Sequence, residues 1–236
     1  MNEILRIIEA SSDLLRQKLE LVEVSTGFTL DQYVRYLTTQ FYLTKDVQRH
    51  FFTIASHSSL VDKPKLRQFL VSFGLEEEPH YRIAYKDLEN LGQELLPMPI
   101  DVKIWWMYFD SILLSRPFVR LGATCILENL GAGSKDVTRR LLHHAPFITE
   151  RTSRFIEIHM HEELPHGQQV LAALEQSNLT PSQLADLEEG ARAGALLYLR
   201  MVDWMLKLDL LTTTLLDDAP LQKTTVAHAA ATTVPC

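Results

Sequence analysis

The chain has 236 residues, 46% of them apolar, and a formal net charge of −7. That is enough for one sizeable core without disulfide staples, and the negative charge with no basic stripe excludes a general nucleic-acid binder. Two cysteines, Cys125 and Cys236, give neither a disulfide framework nor a thiolate zinc site, which places the expectation in a reducing cytoplasm. The start has an early acid and no apolar stretch of a signal peptide. No apolar run approaches the ~18 residues of a membrane span.

Seven helical stretches and no strand are expected, in this order. Residues 2–22 repeat Ile4, Leu5, Ile7, Ile8, Leu14, Leu15 and Leu19 at helical period. Thr29 with Gln32 is a capping box opening a helix to about His57. A third stretch runs from about Lys65 to Leu91, interrupted near Gly74 and Pro79, with Gly92 as its C-terminal stop. After the Pro97–Met98–Pro99 loop, an apolar helix spans about Asp101 to Leu130, bent before Pro117 and closed by Gly131 and Gly133. Ser134 is placed to cap a short helix ending near His144, and Pro146 to open the next. Thr180-Pro181-Ser182-Gln183 starts a last helix reaching about Leu211. From Thr212 the composition turns to Thr, Ala and Pro, the signature of a flexible tail over 212–236. The expectation is one all-α domain over 1–211.

Chemistry concentrates in His159-Met160-His161-Glu162-Glu163-Leu164-Pro165-His166. Gaps of four and three put His159, Glu163 and His166 on one helical face. The flanking Phe155, Ile156, Ile158, Val170, Leu171 and Leu174 turn that face toward a core. Two imidazoles and a carboxylate form a mixed nitrogen and oxygen donor set that suits non-haem iron or manganese better than structural zinc. Glu77 and His80, three apart, repeat the motif on another helix. Glu128 is a lone acid among Leu121, Ala123, Cys125, Ile126, Leu127 and Leu130, where buried carboxylates are rare. Three carboxylates and three imidazoles match two metal ions with one bridging carboxylate, as in di-iron sites inside helical bundles.

These motifs resemble the haem-oxygenase-like di-iron oxidases, also called iron-containing redox enzymes. The resemblance covers about residues 30 to 210. Glu76-Glu77-x-x-His80 with Asp87-Leu88 and Leu91-Gly92 is similar to the first ligand helix of that family. Pro117, Leu121-Gly122 and Ile126-Leu127-Glu128 are similar to its second. His159-x-x-x-Glu163-x-x-His166 is similar to its third, where aspartate is the usual acid, and Pro79 stands where glycine is common. The resemblance implies a haem-oxygenase-like helical bundle of about seven helices. It implies two Fe(2+) ions per chain, with dioxygen as co-substrate. Glu77, His80, Glu128 and His159 would hold one iron. Glu128, as bridge and catalytic centre, would hold the other with Glu163 and His166. Members of that family oxygenate amino groups, cleave carbon–carbon bonds of amino acids, or turn fatty acids into terminal alkenes. The implied activity is oxidation of a small metabolite such as an amino acid derivative, with no nucleic acid or membrane involved and a homodimer open as the assembly.

Simpler readings stand beside these. Glu76 and Glu78 are neighbouring choices for the first acid, and Glu76 to Glu78 before Pro79 also suit an exposed helix N-terminus. Glu128 also suits a helix-end surface acid, and the third motif a buried hydrogen-bond network. His161, His143 and His144 read as surface, and His50 and His57 as core or rim histidines. Trp105, Trp106, Tyr108 and Phe109 read as bundle core. Tyr33, Tyr36 and Tyr42 are candidates to reach a substrate cavity. Arg116 and Arg120 are placed at the surface, with a substrate clamp as the other option. The competing functions are a cofactor-independent oxidase, a hydrolase needing a nucleophilic Cys125, and a non-catalytic metal-binding partner.

Overall fold

The computed structural model of the chain describes residues 1–160, 166–210 and 215. Among the described residues there are eleven α-helices and no strand. They are α1 (Asn2–Ser25), α2 (Leu30–Thr44), α3 (Gln48–Ser56), α4 (Pro64–Glu77), α5 (His80–Asn90) and α6 (Ile100–Ile112). Then follow α7 (Pro117–Leu130), α8 (Lys135–His143), α9 (Arg154–Met160), α10 (His166–Glu175) and α11 (Pro181–Leu206). Among the described residues no helix is long and apolar enough to cross a membrane. The tail expected from Thr212 lies outside the described residues, apart from Leu215.

The expected helical stretches are present, but among the described residues three of the seven are cut in two. The stretch from Thr29 breaks where Asp46 takes a left-handed backbone with φ 66°. The next breaks at Pro79, not at Gly74; Gly74 is buried inside α4 against Phe51 and Phe52. The stretch from Asp101 to Leu130 is two helices, because Arg116 before Pro117 leaves the helical region at φ −139°, as a residue before proline is pushed to do. Pro146 does not open the next helix. That helix, α9, begins at Arg154, where the Asp87 side chain accepts from Phe155 N at 2.8 Å and so caps it from α5. Ser134 precedes α8 without capping it; its hydroxyl donates to the Gly131 carbonyl instead. Both capping boxes form, Thr29 with Gln32 and Thr180 with Gln183, and Gly92 ends α5 at φ 66°.

Helix α7 is the hub. Every residue from Pro117 to Ile126 is buried, and its most extensive interface is with α11. That interface is a seam of small residues. A side chain at Gly190 would strike the Val119 backbone, and one at Gly122 would strike the Leu187 carbonyl. The axes therefore approach more closely than any larger pair would allow. Apolar side chains form three groups. One joins α1, α6, α7 and α11; a second joins α3, α4, α7 and α10; a third joins α2, α5 and α9. Trp105 and Phe109 are fully buried as expected, and Trp106 and Tyr108 half-buried.

Candidate metal centre

The singled-out acids and histidines come from helices of all three apolar groups. Glu77 is the last residue of α4, His80 opens α5, Glu128 lies in the last turn of α7, His159 in the last turn of α9, and His166 opens α10. Glu163 and His161 lie outside the described residues. His159 lies in the last described turn before residues 161–165 and His166 in the first after them, and the residues that join the two lie outside the described residues.

Burial chooses among the three consecutive acids. Glu77 is 5% exposed and His80 8%, whereas Glu76 and Glu78 are exposed. These acids end a helix and do not begin one, so the exposed N-terminal reading fails. Carboxylates at a helix C-terminus face the negative end of the dipole and need cationic company. For Glu77 that company is imidazole on both oxygens: Oε2 lies 2.8 Å from His80 Nδ1, and Oε1 lies 2.9 Å from His166 Nδ1. His166 Nδ1 is also 3.7 Å from Glu128 Oε2, and its Nε2 is 3.6 Å from Glu76 Oε2. Ligand atoms of Glu77, Glu128 and His166 all lie within 4.8 Å of one another.

His80 joins the cluster through Glu77, and its ring lies 5.2 Å from that of His159. His159 Nδ1 donates to the Phe155 carbonyl at 2.7 Å, so Nε2 is the nitrogen it would offer to a metal. The aromatic rings of Phe73 and Phe155 wall the imidazoles at 5.0 and 4.6 Å. The side chain of Glu128 is 17% exposed, facing a cavity instead of open solvent. His166, which the resemblance groups with Glu128 and Glu163, also touches Glu77 from the other set.

Electrostatics follow the geometry. Burial alone would push the His166 imidazole down, but the Glu128 and Glu77 carboxylates outweigh it and raise it to about 10. Burial would raise the Glu77 carboxyl, and His166 and His80 outweigh that and lower it to about 2. His80 is raised, its desolvation offset by Glu77.

Glu77 Oε1 is buried and makes no hydrogen bond; its 2.9 Å approach to His166 is off the line of one. Such an atom costs about 1–3 kcal/mol, a loss that a coordinated cation removes. The converging Glu77, Glu128 and His166, with His80 on the other Glu77 oxygen and His159 beside the His80 ring, are a nitrogen and oxygen donor set that fits iron or manganese.

Beside the cluster lies a cavity of about 310 Å³, reached by Glu128, His159 and His166. Its walls are mainly Leu15, Leu19, Ile156, Leu141, Val202 and Met205. Of the three tyrosines expected near it, only Tyr36 lines it. Tyr33 instead donates to the Thr152 carbonyl and Tyr42 to the Leu96 carbonyl. Tyr198 and Lys135, which the sequence did not flag, line it as well. Cys125 is buried and its thiol is pushed up to about 12 by burial, so it is no nucleophile.

Arg120 corrects the surface expectation. It is 1% exposed, stacked among Phe51, Trp105 and Phe109, and donates to His50 Nδ1 at 3.0 Å and Thr124 Oγ1 at 2.7 Å. His50 passes the chain on to Asp110 at 2.7 Å. Arg116 does lie at the surface, paired with Asp186 and Glu189 of α11.

No protein-family model matches the chain, and no curated protein matches it in sequence. Solved structures do match in shape. A domain of unknown function with a haem-oxygenase-like fold from Shewanella denitrificans OS217 superposes with a TM-score of 0.74, over 93% of this chain and 96% of that one, at 16% identity. A CADD-like protein of unknown function from Nostoc punctiforme PCC 73102 gives 0.63, over 93% of this chain and all of that one, at 14% identity. The chain has a haem-oxygenase-like fold. At these identities the likeness establishes the fold, and the chemistry has to be argued from the cluster itself.

Proposed function

We propose that the chain is a non-haem di-iron oxidase or oxygenase that uses dioxygen to oxidise a small metabolite, such as an amino acid derivative. One observation carries this reading: a Glu77–Glu128–His166 cluster, with a buried Glu77 oxygen that makes no hydrogen bond, opens onto a mainly apolar cavity. Glu77, His80, Glu128, His159, Glu163 and His166 would hold the two Fe(2+) ions. Bound there, ferrous iron would supply the electrons and Lewis acidity that dioxygen chemistry needs.

The chain's own residues do the rest. Glu77 and Glu128 supply negative charge that favours cations in a site otherwise costly to charge. The Phe155 carbonyl fixes the tautomer of His159, and Glu77 orients His80. His166 must release its proton before it can act as a ligand. The leucine, methionine and valine walls make the cavity that Glu128 and His159 meet mainly apolar.

The buried, high-pKa Cys125 removes support from the hydrolase alternative. Anaerobic ferrous loading followed by metal analysis and Mössbauer spectroscopy tests the proposal. About two irons per chain are expected. His159→Ala should lose at least one, and adding oxygen should oxidise the bound iron. Absence of uptake, or uptake unchanged in His159→Ala, overturns it. Iron that binds but never reacts with oxygen would favour a non-catalytic metal-binding partner.

A further inference from the structure

One buried charge belongs neither to the cluster nor to its cavity. Arg120 is 1% exposed and does not line the cavity. Its guanidinium lies over the rings of Phe51, Trp105 and Phe109, 5.6, 5.6 and 5.5 Å from their centroids. Its Nε donates to His50 and its Nη1 to Thr124. Both acceptors are neutral, because His50 accepts at Nδ1 and keeps its proton on Nε2, toward Asp110. Among the described residues no carboxylate pairs with the guanidinium. Asp110, beyond His50, has a side chain 43% exposed, where water screens it. Burial pushes the guanidinium down to about 10, so at neutrality it stays charged. A charge taken out of water without an ion pair is costly, and a well-packed apolar side chain fills such a place at less cost. The surroundings therefore anchor this charge without cancelling it.

Two routes lead from it to the candidate metal centre. Arg120, Thr124 and Glu128 follow at intervals of four on α7 and so share one helix face, with about 12 Å of axis between the first and the last. On the other side, the Phe51 ring under the guanidinium meets Phe73 at 4.9 Å, and Phe73 meets His166 at 5.0 Å. Phe51 and Phe73 are each 1% exposed, so along this route rings stand where water would screen. We propose that Arg120 is a positioning residue that acts on the centre through its field: it repels the extra charge of a ferric ion and so favours the ferrous state. The inference rests on the reading of the cluster as an iron centre. A unit charge about 12 Å away, at an effective dielectric constant of about 20, changes the ferric-to-ferrous ratio about tenfold. For a one-electron couple that is about 59 mV.

The test is a mediated potentiometric titration of the full-length, iron-loaded protein, with dithionite supplying one electron to each ferric ion. Arg120→Met and Arg120→Gln should each lower the first midpoint potential by about 59 mV, a tenfold rise in the ferric-to-ferrous ratio at fixed potential. Arg120→Lys should keep the wild-type potential. Glutamine retains a donor for Thr124, so lost charge is read apart from lost hydrogen bonding. Circular dichroism and thermal melting follow the fold in each variant. An arginine that only supports packing would lower the melting temperature in all three variants and leave the potential unmoved. An unmoved potential in the folded neutral variants overturns the proposal, and so does an equal shift in Arg120→Lys. Neutral variants that both fail to fold would assign Arg120 to the scaffold and overturn it as well. Iron uptake separates the two readings. A wild-type protein that takes up no iron defeats the di-iron reading and this one with it. Iron uptake with an unmoved potential defeats this one alone.

Discussion

At the scale of single residues, the cluster trades protons against cations. His166 is raised to about 10 by Glu128 and Glu77 against the pull of burial, so near neutrality it carries a proton that an incoming ion must displace. Ferrous affinity should therefore rise with pH from about 6.5 toward 10, and uptake should release protons, seen with an indicator in weakly buffered solution. Flat affinity over that range would mean that His166 is not a ligand. His50 acts in the opposite sense. Burial and then Arg120 push it down to about 3, from an ordinary 6.5. Between those values the unfolded chain takes up a proton that the folded chain refuses. This share of stability is complete above 6.5 and is lost as pH falls toward 3, by up to about 1.4 kcal/mol per pH unit. His50→Gln should flatten the pH dependence of stability between pH 6 and 4, measured by urea titration. An unchanged slope would show that His50 is not the group responsible. The spacing of Glu77 and His80 was legible in the sequence, because side chains three apart on a turn meet wherever the turn lies. Which of Glu76, Glu77 and Glu78 faces inward was not, because burial is decided by α10 and α5. Arg120 escaped for the same reason: its shelter is built from Phe51 on α3 and Trp105 and Phe109 on α6.

At the scale of elements, close approach sets the site. Helix α10 starts against the end of α7. A side chain at Gly167 would collide with the Asn129 amide and come within 2.6 Å of the Glu128 carbonyl. Gly167→Ala should force these helix ends apart and carry His166 away from Glu128. Ferrous affinity is expected to fall at least tenfold, with a stability loss of about 1–3 kcal/mol. Wild-type affinity in that variant would show that the two helix ends can slide without cost. The existence of the helices was legible because period and caps are local, as both capping boxes demonstrate. The breaks were harder. A single left-handed residue, Asp46, divides α2 from α3, and no proline or glycine marks it. The α9 cap comes from Asp87, 68 residues away in sequence, so nothing near Arg154 announces that start.

At the scale of the whole molecule, the cluster draws residues from α4, α5, α7, α9 and α10, which belong to three separate apolar groups. An ion shared among them ties those groups together only in the folded state. Ferrous iron at a hundredfold excess over its dissociation constant should add about 2.7 kcal/mol. For a chain of this size that raises the melting temperature by roughly 5–10 °C. Anaerobic scanning calorimetry reads this directly, and Glu77→Gln should remove most of the rise. A melting temperature indifferent to iron would place the ion outside the fold's interior.

The Asp87 cap has a mechanical consequence. Asp87 lies two turns beyond His80 on α5, and Phe155, whose amide it accepts, lies one turn before His159 on α9. Any tilt of α5 therefore carries both imidazoles together, as one jaw. Gly167 lets α10 seat directly on α7, so Glu128 and His166 form the other jaw. Glu77, at the tip of α4, touches one histidine from each. The centre is thus a two-jawed vice whose mouth is crossed by the Glu77 carboxylate, held by one histidine of each jaw.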